Sequence, residues 1–395
     1  MATTEHPTSA TGTHSRALDG LRAVAVLAVI LFHLGLFQPG WLGVPVFFVL
    51  SGHFITRTLL QHADAPRGQR AKDFFRNRAL RLVPLYLVFC AGLTVLAACG
   101  GGGRSLPGDL PYIWTWTYNL RPLLPGYTPN GLVLYNHVWS LGLEVQVYLV
   151  WAALVLGLSR RSLVRTMPAL VLAGPALRVL AWLLLTAAGT SGAGAVQGVY
   201  LLPFSYLDAF AVGACVALPE IRARLPRPAV VVAVTLGAVL VVSLVAVLTG
   251  LARTHRVPTD LGWPNMLGAG AGWIWQYSMI ALAAGAITYA LSTPGHAARA
   301  FGSAPLAWIG KVSYGVYLIH VPLIGLSIAL LSRRGSGRAP SAGAPGPVSI
   351  VVFLVVLFGL TAISYRWLEL PWLRRKRNAL SPVTSVEPDH EGAAS

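Results

Sequence analysis

Charge is scarce in this sequence of 395 residues: Asp, Glu, Lys and Arg together make up 11%, where a soluble chain carries roughly 25%. Acid is the scarcer half, with 13 Asp and Glu against 30 Lys and Arg, for a formal net charge of +17. Cysteine is nearly absent. Cys90, Cys99 and Cys215 each fall inside or at the end of an apolar run, which excludes a disulfide framework and a thiolate metal site and leaves small packing residues. A signal peptide is also missing, because residues 1–15, MATTEHPTSATGTHS, are polar throughout. The first apolar run therefore reads as an uncleaved anchor. What the chain has in excess is apolar side chains, 55% of the residues, with a mean hydropathy of +0.64. The few charges lie between long apolar runs, which excludes a soluble core and predicts a helical membrane protein of many spans.

Runs long enough to cross roughly 30 Å of hydrocarbon occur at 18–37, 41–60, 79–99, 138–158, 166–188, 202–218, 227–250, 268–291, 306–331 and 347–369. The expected fold is all-α, a single bundle of about ten transmembrane helices. Three parts follow: a disordered N-terminus at 1–15, a transmembrane domain at 16–373, and a tail at 374–395 that is basic and then disordered. An even number of spans puts both termini on one side. Arginine and lysine crowd the segments on that side, at 57–81, 160–165, 222–227 and 374–377, so both termini are expected in the cytoplasm of a multi-pass cell-membrane protein. Most of the positive charge is then topology signal, which removes nucleic acid as a partner and leaves the lipid bilayer. The outer loop SRRGSGRAPSAGAPGP runs against the charge rule, and its Gly and Pro content predicts flexibility.

Ionisable residues within the spans include Asp19, Arg22, His33, Glu144, Arg178, Asp208, His320 and Arg366. Such a group costs several kilocalories in lipid unless paired or wetted, so each is either a functional residue or half of a buried ion pair that fixes packing. Arg22 and His33 are separated by about three helical turns and share a face about 16 Å apart. Residue counting puts His33, Glu144, Asp208 and His320 all about 21 Å above the inner ends of four different helices. One layer holding two imidazoles and two carboxylates suits general-base catalysis, because desolvation and a carboxylate partner tune an imidazole toward neutral pH. It suits a proton-coupled secondary transporter equally, although the half-to-half repeat common in transporters is not visible.

A series of short stretches separates these readings. LDGLRAVAVLAVILFH, GVPVFFVLSGHFIT (43–56), FFRNRALRLVPLY (74–86), VWSLGLEVQVYLVW (138–151), YLDAFAVGACVA (206–217), WIGKVSYGVYLIHVPL (308–323) and SYRWLELPWL (364–373) together resemble, in order, the blocks of the acyltransferase-3 family of membrane acyltransferases. The resemblance implies transfer of an acyl group, commonly acetyl from acetyl-CoA, to a hydroxyl of a carbohydrate or of a glycosylated or macrolide-type natural product. Acyl-CoA would be a co-substrate, with no tightly bound cofactor and no metal. His33 matches the family's essential histidine, with Glu144, Asp208 and His320 as its catalytic partners in the layer. Arg78 and Arg81 match the family's basic pair, and guanidinium groups suit CoA phosphates through bidentate bonds. Arg22, on the His33 face, would hold the donor or neutralise Asp19. Three positions depart from the pattern: Pro45 replaces an aspartate, His53 an apolar residue and Val145 a second glutamate. Pro45 should also kink the second span. Trp114, Trp116 and Tyr118, in the long outer loop, fit either sugar stacking or anchoring at the membrane interface.

Overall fold

The computed structural model describes residues 10–61, 64–124, 127, 134–265, 270–334 and 346–378, and no strand occurs among them. The helices are α1 (Ala10–His33), α2 (Gly43–Leu60), α3 (Arg67–Ala98), α4 (Leu106–Trp114), α5 (Trp139–Gly157), α6 (Arg160–Ala187), α7 (Gly192–Leu201), α8 (Leu207–Ala217), α9 (Pro219–Arg222), α10 (Pro228–Thr254), α11 (Gly272–Leu291), α12 (His296–Phe301), α13 (Ala304–Arg334), α14 (Pro347–Ser364) and α15 (Leu370–Asn378). Each apolar run falls on one of them. Among the described residues, eight helical segments are long and apolar enough to cross a bilayer, and α7 with the segment Pro203–Ala217, bent by 67°, makes a ninth if taken as one span. Pro203 lies at that bend; a proline there removes a backbone donor and cannot continue the preceding helix, which is why the sixth run is short. The remaining run is α1, which carries Arg16, Asp19 and Arg22 in its described first half. The protein is a multi-pass, all-helical membrane protein.

The structure moves several boundaries. Helix α1 already begins at Ala10, ahead of the expected start of the ordered chain, and α15 continues to Asn378. Residues 1–9 and 379–395, and the centre of the Gly/Pro-rich loop at 335–345, lie outside the described residues. Helix α3 starts at Arg67 rather than near 79; the basic segment is rich in Arg, Lys, Gln and Ala, all good helix formers, so it adds turns to the span instead of forming a loop. Arg78 and Arg81 therefore sit on one helical face, three residues apart. Pro45 does not kink the second span. A 3-10 helix at Gln38–Leu42 runs directly into α2, and Pro45 occupies the first α turn, where its missing N–H is not needed.

Two close helix crossings build the centre. Helices α1 and α13 approach at Gly310, where a Cβ would fall 1.8 Å from the Asp19 carbonyl oxygen. Helices α2 and α8 cross through paired glycines: a Cβ on Gly52 would meet the Phe210 carbonyl oxygen at 2.1 Å, and one on Gly213 that of Val49 at 1.9 Å. Only glycine permits backbones this close. The α1–α13 pair is parallel, since Asp19 meets Gly310 near one end and His33 meets His320 near the other. Helix α10 has no buried residue and packs against α11, leaving a valine- and leucine-rich face for lipid.

Candidate active site

The parallel α1–α13 crossing brings together two histidines that are far apart in sequence. His320 Nε2 lies 3.4 Å from His33 Nδ1, with the rings edge to face. Both rings hold their tautomer through helix carbonyls. His33 Nδ1–H donates to the Val29 carbonyl at 2.9 Å, and His320 Nδ1–H donates to that of Tyr317 at 2.6 Å. With Nδ1 protonated in each, the lone pair of His33 is on Nε2, and that of His320 is aimed at the donor side of His33. His320 is fully buried, whereas His33 is half-buried and lines a cavity of about 310 Å³. A third histidine completes the group. His137 packs against His320 with ring centroids 5.3 Å apart; its Nε2–H donates to the Leu318 carbonyl at 3.2 Å, and its buried Nδ1 has no partner.

Glu144 lies deeper along the bundle. It accepts from Tyr148 Oη at 2.5 Å and from Ser51 Oγ. Two turns before Tyr148 on α5, Ser140 Oγ is 2.5 Å from Tyr317 Oη, and Tyr317 donates to the His137 carbonyl at 3.0 Å. Serine and tyrosine hydroxyls thus occupy the ground between Glu144 and the histidines.

The expected layer of four groups is only half assembled by the structure. Asp208 is not with the histidines. Arg178 Nη1 donates to its Oδ2 at 2.9 Å, both side chains being essentially inaccessible, and Ser278 donates to the same oxygen at 2.5 Å. Gly174 leaves the space for that carboxylate, which a Cβ would meet at 2.3 Å. The pair ties α6 to α8 and α11, so here the plainer alternative, a buried ion pair fixing the packing, describes the arrangement. Residue counting gives a height along a helix and could not say which side of α8 Asp208 occupies.

The three arginines converge. Arg22, bound to Asp19 at 3.1 Å and stacked 4.4 Å over Phe54, lines a polar cavity of about 580 Å³ with Arg78, Arg81, Lys311 and Glu369. Arg78 lies over the rings of Phe74 and Tyr148. The same three guanidinium groups also line a narrow space of about 70 Å³ with Ser51, Glu144, Tyr148, Ser140 and Tyr317. Val44 and Tyr317 then belong both to this constriction and to the His33 cavity. Three cavities therefore adjoin through shared side chains, from an arginine-lined mouth to His33.

The far cavity is walled by Trp41, Tyr118, Trp139 and Tyr200, with Asn136, Gln197 and Asn265 as its amides. Of the three outer-loop aromatics, Tyr118 alone lines it; Trp116 stacks on Tyr86 at 3.6 Å and Trp114 bonds Thr94. Arg121 and Tyr135 hold Asp109 at 3.2 and 2.9 Å, tying α4 to the segments that carry Tyr118 and Asn136. Burial pushes the Asp109 carboxyl above its ordinary value, against the pull of Tyr135 and Arg121.

Sequence reasoning missed His137, Ser140 and Tyr317. His137 stands just ahead of the apolar run that begins at 138, so a search confined to spans passes over it. Its signal was a histidine at a helix start beside a tryptophan and a serine.

Helices of this number and length around a buried histidine group define a polytopic membrane protein with an internal, two-ended site. The acyltransferase-3 family model, which describes an acyltransferase domain, matches residues 15–366; the chain belongs to this family. It is 25% identical over 367 residues to the peptidoglycan O-acetyltransferase OatA of Listeria monocytogenes, covering 90% of this chain and 55% of the relative. It is 30% identical over 363 residues to the provisionally named membrane-bound transacylase BcsY of Komagataeibacter xylinus, covering 89% of this chain and 83% of that one. The chain thus spans about half the length of OatA but most of BcsY. No solved structure matches.

Proposed function

We propose that the protein is a membrane O-acyltransferase that moves an acyl group, acetyl in the first instance, from acyl-CoA to a hydroxyl of a carbohydrate or glycosylated natural product. The observation that carries this reading is the line of adjoining cavities from Arg22, Arg78 and Arg81 to His33. The donor's phosphates meet the arginine mouth through charge-assisted bonds. Its acyl-bearing arm passes the constriction beside Tyr148 and Tyr317, too narrow for the nucleotide. The acceptor occupies the aromatic cavity. By the bias of basic residues, the arginine mouth is cytoplasmic and the far cavity lies toward the opposite side.

In the chemical step, His33 Nε2 takes the hydroxyl proton as the oxygen attacks the thioester carbonyl carbon. The tetrahedral intermediate collapses, the C–S bond breaks, and the proton held on His33 passes to the departing CoA thiolate, which restores the free base. His320, accepting at His33 Nδ1, fixes the ring and stabilises the imidazolium. Ser140 and Tyr317 spend their hydroxyl protons on each other and on the His137 carbonyl, so either one would donate to the developing oxyanion only by turning from that partner. Glu144 orders Ser51 and Tyr148 at the constriction, and Asp208 acts through packing without touching the reacting groups.

Family membership favours this reading over a proton-coupled transporter, and relatives named peptidoglycan O-acetyltransferases support O-acetyl transfer to an envelope glycan. The test is release of CoA by the purified protein with acetyl-CoA and a panel of glycan and glycoside acceptors, with transfer verified by mass spectrometry. Release that depends on neither acceptor nor His33 would defeat the proposal.

A further inference from the structure

A second basic cavity, of about 770 Å³, opens at the same end of the bundle as the arginine mouth but on another face of α2. Thr58 lines the donor vestibule, while its neighbour Arg57 lines this cavity, and the two share no lining residue. The ends of α2, α3, α5, α6 and α8 enclose it. Arg57, Arg67, Arg70, Arg160 and Arg222 line it, without a single Asp or Glu. Arg160 is paired with Glu220 at 2.7 and 2.8 Å, and Arg70 donates to the Leu59 carbonyl. Among the described residues, Arg57, Arg67 and Arg222 take part in no ion pair.

His53 sits at the buried end. It is 3% exposed and lines the cavity, and neither ring nitrogen has a hydrogen-bond partner of normal geometry, although the Gly213 backbone lies close. A buried imidazole left unpaired costs about 1–3 kcal/mol. Arginines that serve only as topology signal diverge into solvent. These converge on one space with an orphaned imidazole, and most of the remaining wall is leucine, valine and alanine side chains, with Gln61, Ser159, Pro219 and Ser292 beside them. Like charges facing one cavity call for a polyanionic ligand, and guanidinium groups match phosphate best. The apolar walls, at the ends of membrane helices, suit a phosphate that carries acyl chains.

We infer that this cavity is a phosphate-binding site, separate from the donor site, whose ligand is the headgroup of an anionic phospholipid. Arg57 and Arg222 hold the phosphate oxygens, and His53 donates to one of them.

The test uses the full chain in neutral detergent, titrated with phosphatidylglycerol, phosphatidylcholine or inorganic phosphate, with the thermal midpoint and native mass spectrometry as readouts. Phosphatidylglycerol should bind saturably and raise the midpoint, and phosphatidylcholine should not. Arg57→Ala or Arg222→Ala should each weaken binding about tenfold, and Arg78→Ala should leave it unchanged. His53→Leu, which restores an apolar residue and keeps the fold, should weaken it likewise. If inorganic phosphate alone saturates the site and displaces the lipid, the phosphate site stands and its source is a soluble phosphate compound. Equal lipid binding by wild type, Arg57→Ala and His53→Leu would overturn the inference, as would the absence of any binding to folded wild type. The readout is binding, so the result is independent of whether acyl transfer is observed.

Discussion

Removal of His320 is the sharpest test of the histidine pair. In the proposed mechanism, His320 contributes one interaction, the acceptance of His33 Nδ1–H. At 3.4 Å that contact is longer than the usual 2.7–3.2 Å, which places it toward the low end of the roughly 0.5–1.5 kcal/mol that a hydrogen bond contributes. His320→Ala should therefore lower kcat by about 2- to 5-fold, with KM for both substrates nearly unchanged. Loss of the base itself, in His33→Ala, should cost about 10²–10⁴-fold. Because His320 acts only through His33, the double variant should be no slower than His33→Ala alone. His320→Gln, whose amide oxygen can accept in place of the imidazole, should recover part of the loss. The assay is steady-state CoA release by purified protein in nanodiscs, with thermal midpoints showing that each variant is folded. Losses that multiply in the double variant, or a His320→Ala defect as deep as that of His33→Ala, would refute the arrangement and give His320 a direct part in the chemistry.

His33→Ala should insert and express near normally, since alanine is the cheaper residue in lipid; activity above about one per cent of wild type would remove it as general base. Arg78→Ala or Arg81→Ala should raise KM for acyl-CoA more than KM for the acceptor, through loss of a charge-assisted contact of roughly 1.5–3 kcal/mol; an effect on abundance alone would make the pair a topology signal. Arg178→Ala strands a buried carboxylate and should destabilise the protein by about 3–5 kcal/mol, seen as a large fall in the thermal midpoint, whereas exchange of both Arg178 and Asp208 for apolar residues should restore much of it. Gly310→Val places a branched side chain where a Cβ would already lie 1.8 Å from the Asp19 carbonyl oxygen; it should separate α1 from α13 and abolish activity, with little folded protein recovered from membranes.

The class of this protein was written in its composition. Long apolar runs with so little charge can only be buried in lipid, so the spans at 41–60, 268–291 and 306–331 reappear nearly unchanged as α2, α11 and α13. The order of short motifs carried the family, and the cost of an ionisable group in hydrocarbon singled out Arg22, His33, Glu144 and His320 before any fold was known. Which of those groups meet is another matter. A residue count along a helix fixes height but not azimuth or neighbour. His33 reaches His320 because Gly310 lets α1 and α13 touch, and Asp208 turns to Arg178 because Gly174 leaves room for its carboxylate. His137 and Tyr317 enter the site for the same reason, through contacts spanning 180 residues of sequence between them. Periodicity and hydropathy are local properties, set by a residue and its near neighbours. The site is made by packing between helices distant in sequence, and only the tertiary structure decides that.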